Sequence, residues 1–208
     1  MRNSIIRNIE EKDYYEVEYL AKRAFWNVNM PGCDEHYLVH RLWGESVYVP
    51  EISLLAEVEG KIAGAILYAR AKIETGNGAM ETLTFGPLCV EPDMQREGIG
   101  GAILEKSMEK AKECGYTSIL ICGVPAYYPR FGFVTADKFG ITMPDGSNFD
   151  AFMAIELVEG SLEDVNGKFY EPSVYCGDVH NAEYMKGVER FDKGFPYMEK
   201  VVLPTQWR

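Results

Sequence analysis

Residues 87–102 read Pro87-Leu88-Cys89-Val90-Glu91-Pro92-Asp93-Met94-Gln95-Arg96-Glu97-Gly98-Ile99-Gly100-Gly101-Ala102. An apolar run stops at Glu91-Pro92, a short polar loop follows, and glycines open a segment with helical periodicity. A strand that feeds a helix through a glycine loop points to an α/β protein. Glycines at a helix start also present backbone N–H groups that form a concave anion site. A pyrophosphate fits such a site, because the missing side chains let the backbone approach it closely.

The flanking sequence supports this class. Residues 5–9 read as a short strand, and Asp13 with Glu16 resembles a capping box. Val17, Leu20, Ala21, Ala24 and Phe25 then form a helical apolar stripe, which Met30-Pro31-Gly32 breaks. Asp34 is expected to cap a second helix running to about Trp43. Residues 53–58 and 62–71 read as a hairpin, and 82–90 as a further strand. The helix from Gly98 carries Leu104, Met108 and Ala111 on one face and ends near Cys114, before Gly115. Residues 117–122 are short and apolar, as in a strand buried on both faces. Residues 127–131 suggest one helical turn, 133–135 and 152–158 late strands, and 182–191 a last helix.

Which pyrophosphate ligand suits the loop can be narrowed. No P-loop ending in Gly-Lys-Ser/Thr is present, and a dinucleotide fingerprint lacks its third glycine after Gly98 and Gly100. Instead Gln95-Arg96-Glu97-Gly98-Ile99-Gly100 resembles the acetyl-CoA loop of the GNAT acyltransferases, Gln/Arg-x-x-Gly-x-Gly/Ala. Tyr127-Tyr128-Pro129-Arg130-Phe131-Gly132-Phe133 is similar to that family's aromatic-Tyr-x-x-hydrophobic-Gly-Phe element. The resemblance covers about residues 5–158. It implies a mixed, mostly antiparallel central sheet flanked by helices, with residues 159–208 as a C-terminal extension.

The resemblance further implies an N-acetyltransferase that moves the acetyl group of acetyl-CoA to a primary amine by direct attack in a ternary complex. Leu88, Cys89 and Val90 would pair with the pantetheine arm, and Gln95, Arg96, Glu97, Gly98, Ile99, Gly100 and Gly101 would hold the pyrophosphate. Tyr128 matches the family tyrosine that protonates the departing thiolate. Charge develops on the thioester oxygen during attack, and a fixed N–H such as that of Val90 is suited to stabilise it. Glu81, at the entrance of the strand over 82–90, is the candidate base. The alternatives are a noncatalytic acyl-CoA-binding regulatory domain and an acyltransferase acting on a protein lysine or N-terminus.

Composition bounds the partners. The 208-residue chain has a net charge of −11, which opposes nonspecific binding to nucleic acid or anionic membrane. The expected acceptor is a small-molecule or peptide amine. No apolar run is long enough to span a membrane, and the charged start of the chain lacks a signal-peptide core, so a cytoplasmic location is expected. Five cysteines without close pairing argue against a disulfide framework or a zinc site. His36 and His40 lie four apart on a helix but lack a further ligand, so no metal is expected. Arg96 and Arg130 are weighed as phosphate contacts, Arg130 equally as a surface ion pair, and Tyr127 as packing. The aromatic set Phe169, Tyr170, Tyr175, Tyr184, Phe191, Phe195, Tyr197 and Trp207 is expected to cover a sheet edge or a homodimer interface.

Overall fold

A computed structural model describes residues 4–177 and 179–204, so Trp207 and the first three residues lie outside the described part. In chain order the elements are β1 (Ser4–Asn8), α1 (Tyr14–Phe25), α2 (Glu35–Trp43), β2 (Leu54–Val58), β3 (Lys61–Thr75), β4 (Gly78–Val90), α3 (Ile99–Glu113), β5 (Ser118–Cys122), β6 (Val134–Thr135), β7 (Ile141–Thr142), β8 (Phe152–Glu156), β9 (Gly167–Tyr170) and α4 (Ala182–Asp192). The strands form one sheet in the order β1-β2-β3-β4-β5-β8-β6, with β9 pairing both β3 and β7. The pairs are antiparallel except β4 with β5 and β7 with β9. The sheet is therefore mixed and mostly antiparallel, as the resemblance implies.

Strand alternation explains the layering. On β3, Ile66 and Tyr68 point to the face that carries α3, where they meet Leu83, Ile103, Leu104 and Ile119. Ala65, Leu67 and Ala69 point to the other face, against Val17, Leu20, Val39 and Leu42 of α1 and α2. A strand covered on both sides reads as a continuous apolar run. The Tyr68 and Ser107 hydroxyls share a 2.9 Å hydrogen bond, which fixes α3 over the sheet.

Two local readings change. Asp13 precedes α1, but its carboxylate turns back to accept from the Glu10 N–H at 2.9 Å and from Arg7. The capping box is formed by Glu10 and Asp13, not by Asp13 and Glu16. The sequence also gave no warning of β7 or β9. β9 buries only Phe169 of its four side chains, so no alternating pattern marks it. Among the described residues no helix is long and apolar enough to cross a membrane.

The chain past residue 158 is tied to the rest by β9 and by one buried ion pair. Lys22 is fully buried on α1; its ammonium lies 2.6 Å from Asp192 and donates to the Pro196 carbonyl at 3.0 Å. The aromatic set is spread along this contact. Phe195 stacks on Tyr15 and Tyr19, Phe191 lies against His40, and the Tyr184 hydroxyl donates to Asp34. Tyr197 stays 89% exposed. Removing one partner of a buried pair strands the other charge. Asp192→Ala is expected to cost about 3 kcal/mol in urea unfolding. The double change Lys22→Met with Asp192→Leu should recover most of that loss, which the same denaturation curves would show.

Candidate active site

β4 and β5 are the one adjacent parallel pair in the main strand order, and they are in register only at Leu83 and Ile119. Beyond that point each runs on, β4 to Val90 and β5 to Cys122, without a further ladder between them. The strands separate, and a cleft of about 1140 Å³ lies beside the opening. Its walls include Leu88 and Val90 of β4, residues 95–102 of the loop and α3, and Val124, Tyr127, Tyr128, Arg130 and Phe131.

The β4 backbone presents its free edge to this cleft. Glu91 N–H donates to Ala63 on the β3 side at 2.9 Å. Alternation turns the polar groups of Val90 and Leu88 the other way. The Gln95 side chain confirms this direction, donating to the Val90 carbonyl at 3.2 Å. Gln95 thus folds the loop back onto the strand end.

The loop then turns sharply. Arg96 and Gly98 have φ of 66° and 89°, and Gly98 is the residue before α3. Such a left-handed cap favours glycine. The first intrahelical bond runs from Ala102 N–H to Gly98, at 3.0 Å. The N–H groups of Ile99, Gly100 and Gly101 precede it and point out of the helix start, where the helix dipole adds positive potential. A Cβ at Gly100 would lie 3.2 Å from the Tyr127 hydroxyl, and one at Gly101 would lie 3.3 Å from Phe131. The glycines let these rings close over the loop. An extended pyrophosphate-bearing ligand therefore finds amides at one end of the cleft and a strand edge along it.

Tyr128 stands at the other end of that edge. Its ring packs on Phe85, Phe133 and Tyr127 with centroids 5.1–5.8 Å away. It also lies flat against Gly123, where an added Cβ would come within 2.3 Å of Tyr128 Cε2. Burial, and then Tyr127, push its pKa up, so the phenol keeps its proton at neutral pH. Among the described residues its hydroxyl has no hydrogen-bond partner. The proton is free to be given to a group in the cleft.

The predicted residues divide. Leu88, Val90, Gln95, Arg96, Glu97, Gly98, Ile99, Gly100, Gly101 and Tyr128 all line the cleft. The Cys89 side chain does not. It points to the α1 face, is 2% exposed, and its Sγ donates to the Ala65 carbonyl at 3.7 Å. Burial pushes that thiol up to about 12, so Cys89 contributes backbone only. Glu81 must be corrected. It is exposed, 4.0 Å from Arg70, and nine residues of extended strand, roughly 30 Å, from Val90. It is not among the residues that line the cleft. Arg130 makes no ion pair among the described residues. It stacks on Tyr127 at 4.5 Å and donates to the Tyr127 carbonyl, which holds a cation at the cleft wall.

Sequence reasoning missed the opposite face of the opening. Tyr175 donates to the Gly86 carbonyl of β4 at 3.1 Å, and its ring covers the position a Gly86 side chain would take. Glu171, four residues earlier, is desolvated, and its carboxyl is raised above the usual range. Only the pairing of β9 with β3 brings both here, which no local pattern announces.

A second constellation invites a nucleophilic reading and fails it. Cys33 Sγ lies 3.4 Å from His36 Nδ1, and His36 Nε2 lies 3.4 Å from Asp192 without hydrogen-bond geometry. Burial pushes the thiol up and His36 down to about 4, and both side chains are closed off from solvent. A protonated thiol beside a neutral, buried imidazole is inert. His40 turns instead to Glu18, at 3.0 Å, so the two histidines make different polar contacts.

The comparisons with known proteins agree with this architecture. The family model described as an acetyltransferase (GNAT) domain matches residues 5–136. The chain is 40% identical over 126 residues to the uncharacterized N-acetyltransferase YjhQ of Escherichia coli K12, covering 60% of this chain and 66% of that protein. It is 23% identical over 109 residues to the uncharacterized N-acetyltransferase YhbS of the same strain, covering 52% and 64%. The matches thus span just under two thirds of these relatives' own lengths. In structure, the chain is similar to E. coli YhbS solved with CoA (TM-score 0.73, 20% identity, 85% of this chain and 93% of that one). It is also similar to a Brucella melitensis GNAT acetyltransferase solved with acetyl-CoA (TM-score 0.68, 22% identity, 84% and 99%). These structural likenesses show the fold. With the family model spanning well over half of the residues, the chain belongs to the GNAT acetyltransferase family.

Proposed function

We propose that this protein binds acetyl-CoA in the cleft beside β4 and transfers its acetyl group directly to a small-molecule or peptide amine. The observation that carries the reading is the convergence on one cleft of the α3 amides, the free β4 edge and the Tyr128 phenol. Relatives of the same fold were crystallised with CoA and acetyl-CoA, which supports the choice of donor. The amides of Ile99, Gly100 and Gly101 meet the pyrophosphate, with Arg96 and Arg130 at the rim. Leu88 and Val90 offer strand-like hydrogen bonds to an amide-bearing arm. The Val90 N–H is the donor best directed at a thioester oxygen. As the carbon–sulfur bond breaks, the electron pair leaves on sulfur and the Tyr128 proton follows it. We assign the chemistry to residues 1–158 and the acceptor-side wall to residues 159–208, and place the protein in the cytoplasm.

The primary test pairs calorimetric titration of acetyl-CoA with turnover of a panel of amines and peptides. Tyr128→Phe is expected to lower kcat by roughly 10²-fold or more, while the acetyl-CoA Kd stays close to that of the native protein. Unchanged kcat would remove Tyr128 from the mechanism. Tight binding without turnover on any acceptor would instead mark a noncatalytic acyl-CoA-binding module. A second variant tests the placement of the phenol. Gly123→Ala puts a methyl within 2.3 Å of the Tyr128 ring, so the ring must move. A displacement of about 1 Å at a reacting group is expected to cost on the order of 10²-fold in kcat, with circular dichroism and melting temperature little changed.

A further inference from the structure

We propose that Glu171, on the chain that follows β9, is the group that takes the proton from the attacking amine. The assignment rests on the acetyl-transfer reading above and offers a base in place of Glu81, which lies outside the cleft lining. It starts from the geometry of the two sheet faces. On β4, Leu83 and Phe85 point to the α3 face, so Thr82, Thr84 and Gly86 point to the opposite one. On β5, Ile119 and Ile121 point to the α3 face, so Leu120 and Cys122 share the opposite one. Tyr128 rests on Gly123 on the α3 side. Glu171 reaches the opening from the other side.

Three contacts bring it there. β9 pairs antiparallel with β3, Tyr170 opposite Lys72, so Glu171 follows alongside Ala71. Phe169, two residues before Glu171 and on its side of the strand, packs on Phe152 at 5.5 Å. Phe152 is the register partner of Cys122 at the end of β5. Four residues on, Tyr175 is anchored to Gly86 of β4. The carboxylate is thus carried between Phe169, packed on Phe152 of β8 beside the end of β5, and Tyr175, anchored on Gly86 of β4, near the gap where those strands part.

The chemistry of its surroundings suits the role. Among the described residues, Glu171 has no hydrogen-bond or ion-pair partner. Burial alone raises its carboxyl. The titratable groups that feel its charge are the Cys122 thiol, pushed up to about 12, and the Tyr175 phenol, also pushed up. Both stay neutral at pH 7, so neither competes with the carboxylate for a proton donor. Glu171 is partly buried, and no side chain among the described residues holds its carboxylate.

The step balances without further reagents. The amine nitrogen forms the carbon–nitrogen bond, and the proton it loses goes to the Glu171 carboxylate. The carbon–sulfur bond breaks, and the thiolate takes the Tyr128 proton. Exchange with solvent then returns Glu171 to its anion and Tyr128 to its phenol, leaving an amide and CoA thiol. Acid and base approach from opposite faces, so neither competes for the other's partner.

The experiment uses the full chain with acetyl-CoA and three acceptor probes, n-butylamine, spermidine and a lysine peptide amide, with acetyl-CoA hydrolysis measured in parallel. Glu171→Gln is expected to lower kcat/KM for the best probe by roughly 10²-fold or more at pH 7.5. Acetyl-CoA affinity and melting temperature should be unchanged, and Glu171→Asp should recover part of the rate. The ratio of native to Glu171→Gln rates cancels the amine's own titration. It should fall toward one as pH drops through the raised carboxyl pKa, because the protonated acid no longer accepts. A pH-independent ratio, or a loss that follows acetyl-CoA affinity or stability, would overturn the assignment. Native turnover that Glu171→Gln leaves intact would overturn it while leaving acetyl transfer standing. Absence of both transfer and hydrolysis in the native chain would overturn the transfer reading and the base with it.

Discussion

The parting of β4 from β5 is the constraint on which the rest of the site depends. A central strand normally spends the polar groups of both its edges on neighbours. Here one edge of β4 is spent on β3, and past Leu83 the other is not spent on β5. Hydrogen-bonding groups of fixed direction are thereby offered to a ligand without any side chain having to supply them. This is a sheet edge inside the molecule, shielded from unwanted pairing by α3 on one face and the 171–175 segment on the other. The parallel direction of the pair matters as well. It places the carboxyl ends of both strands together, so the loop after β4 and the turn after β5 open on the same cleft.

The surrounding packing keeps that opening rigid. α3 is locked by the Tyr68–Ser107 bond and by the side chains of Ile103 and Leu104 against the sheet. Its first turn therefore cannot drift from the strand edge. Arg23 of α1 holds Glu91, just past β4, through contacts of 2.6–3.1 Å, which fixes the strand end from the other side. Tyr128 is caged by Phe85, Phe133 and Tyr127, so its hydroxyl is positioned by its ring and not by a hydrogen bond that would have to be broken. The net charge of −11 does not oppose an anionic ligand under these conditions. Potential at the helix start is set within one turn by oriented amides and two arginines, while distant surface carboxylates are screened within about 10 Å.

The donor half of the site was legible in the sequence because it is local. Gln95 to Gly100 follow one strand and open one helix, and Tyr128 lies in a single turn, so the motifs that carry the family resemblance are contiguous and converge on one cleft. Cys89 shows the limit of such reading. It belongs to the right strand, but alternation sends its side chain to the α1 face. Glu81 shows a second limit. Choosing the entrance of a strand fixes the residue but not the end of the strand at which chemistry occurs, and the sheet opens at the other end. The polar groups of the 171–175 segment carry no local signature at all. They reach the opening through a four-residue strand that pairs with residues about 100 positions earlier.

That asymmetry follows from what each half must recognise. On the proposed reading, a pyrophosphate and an amide-bearing arm would be met by backbone, once glycine allows the approach. An amine must be met by side chains, and those lie on whatever segment covers the α1 face of the opening. In this chain the covering segment is the extension, tied down by β9 at one end and by Asp192 on the buried Lys22 at the other. Holding it in two places removes the freedom a lone loop would have, so a carboxylate between them can be kept partly buried without an ion-pair partner. The extension is thus more than a cover for an edge. In the proposed mechanism it turns a donor cleft into a site with two chemically distinct faces, an acid on the α3 side and a base on the α1 side.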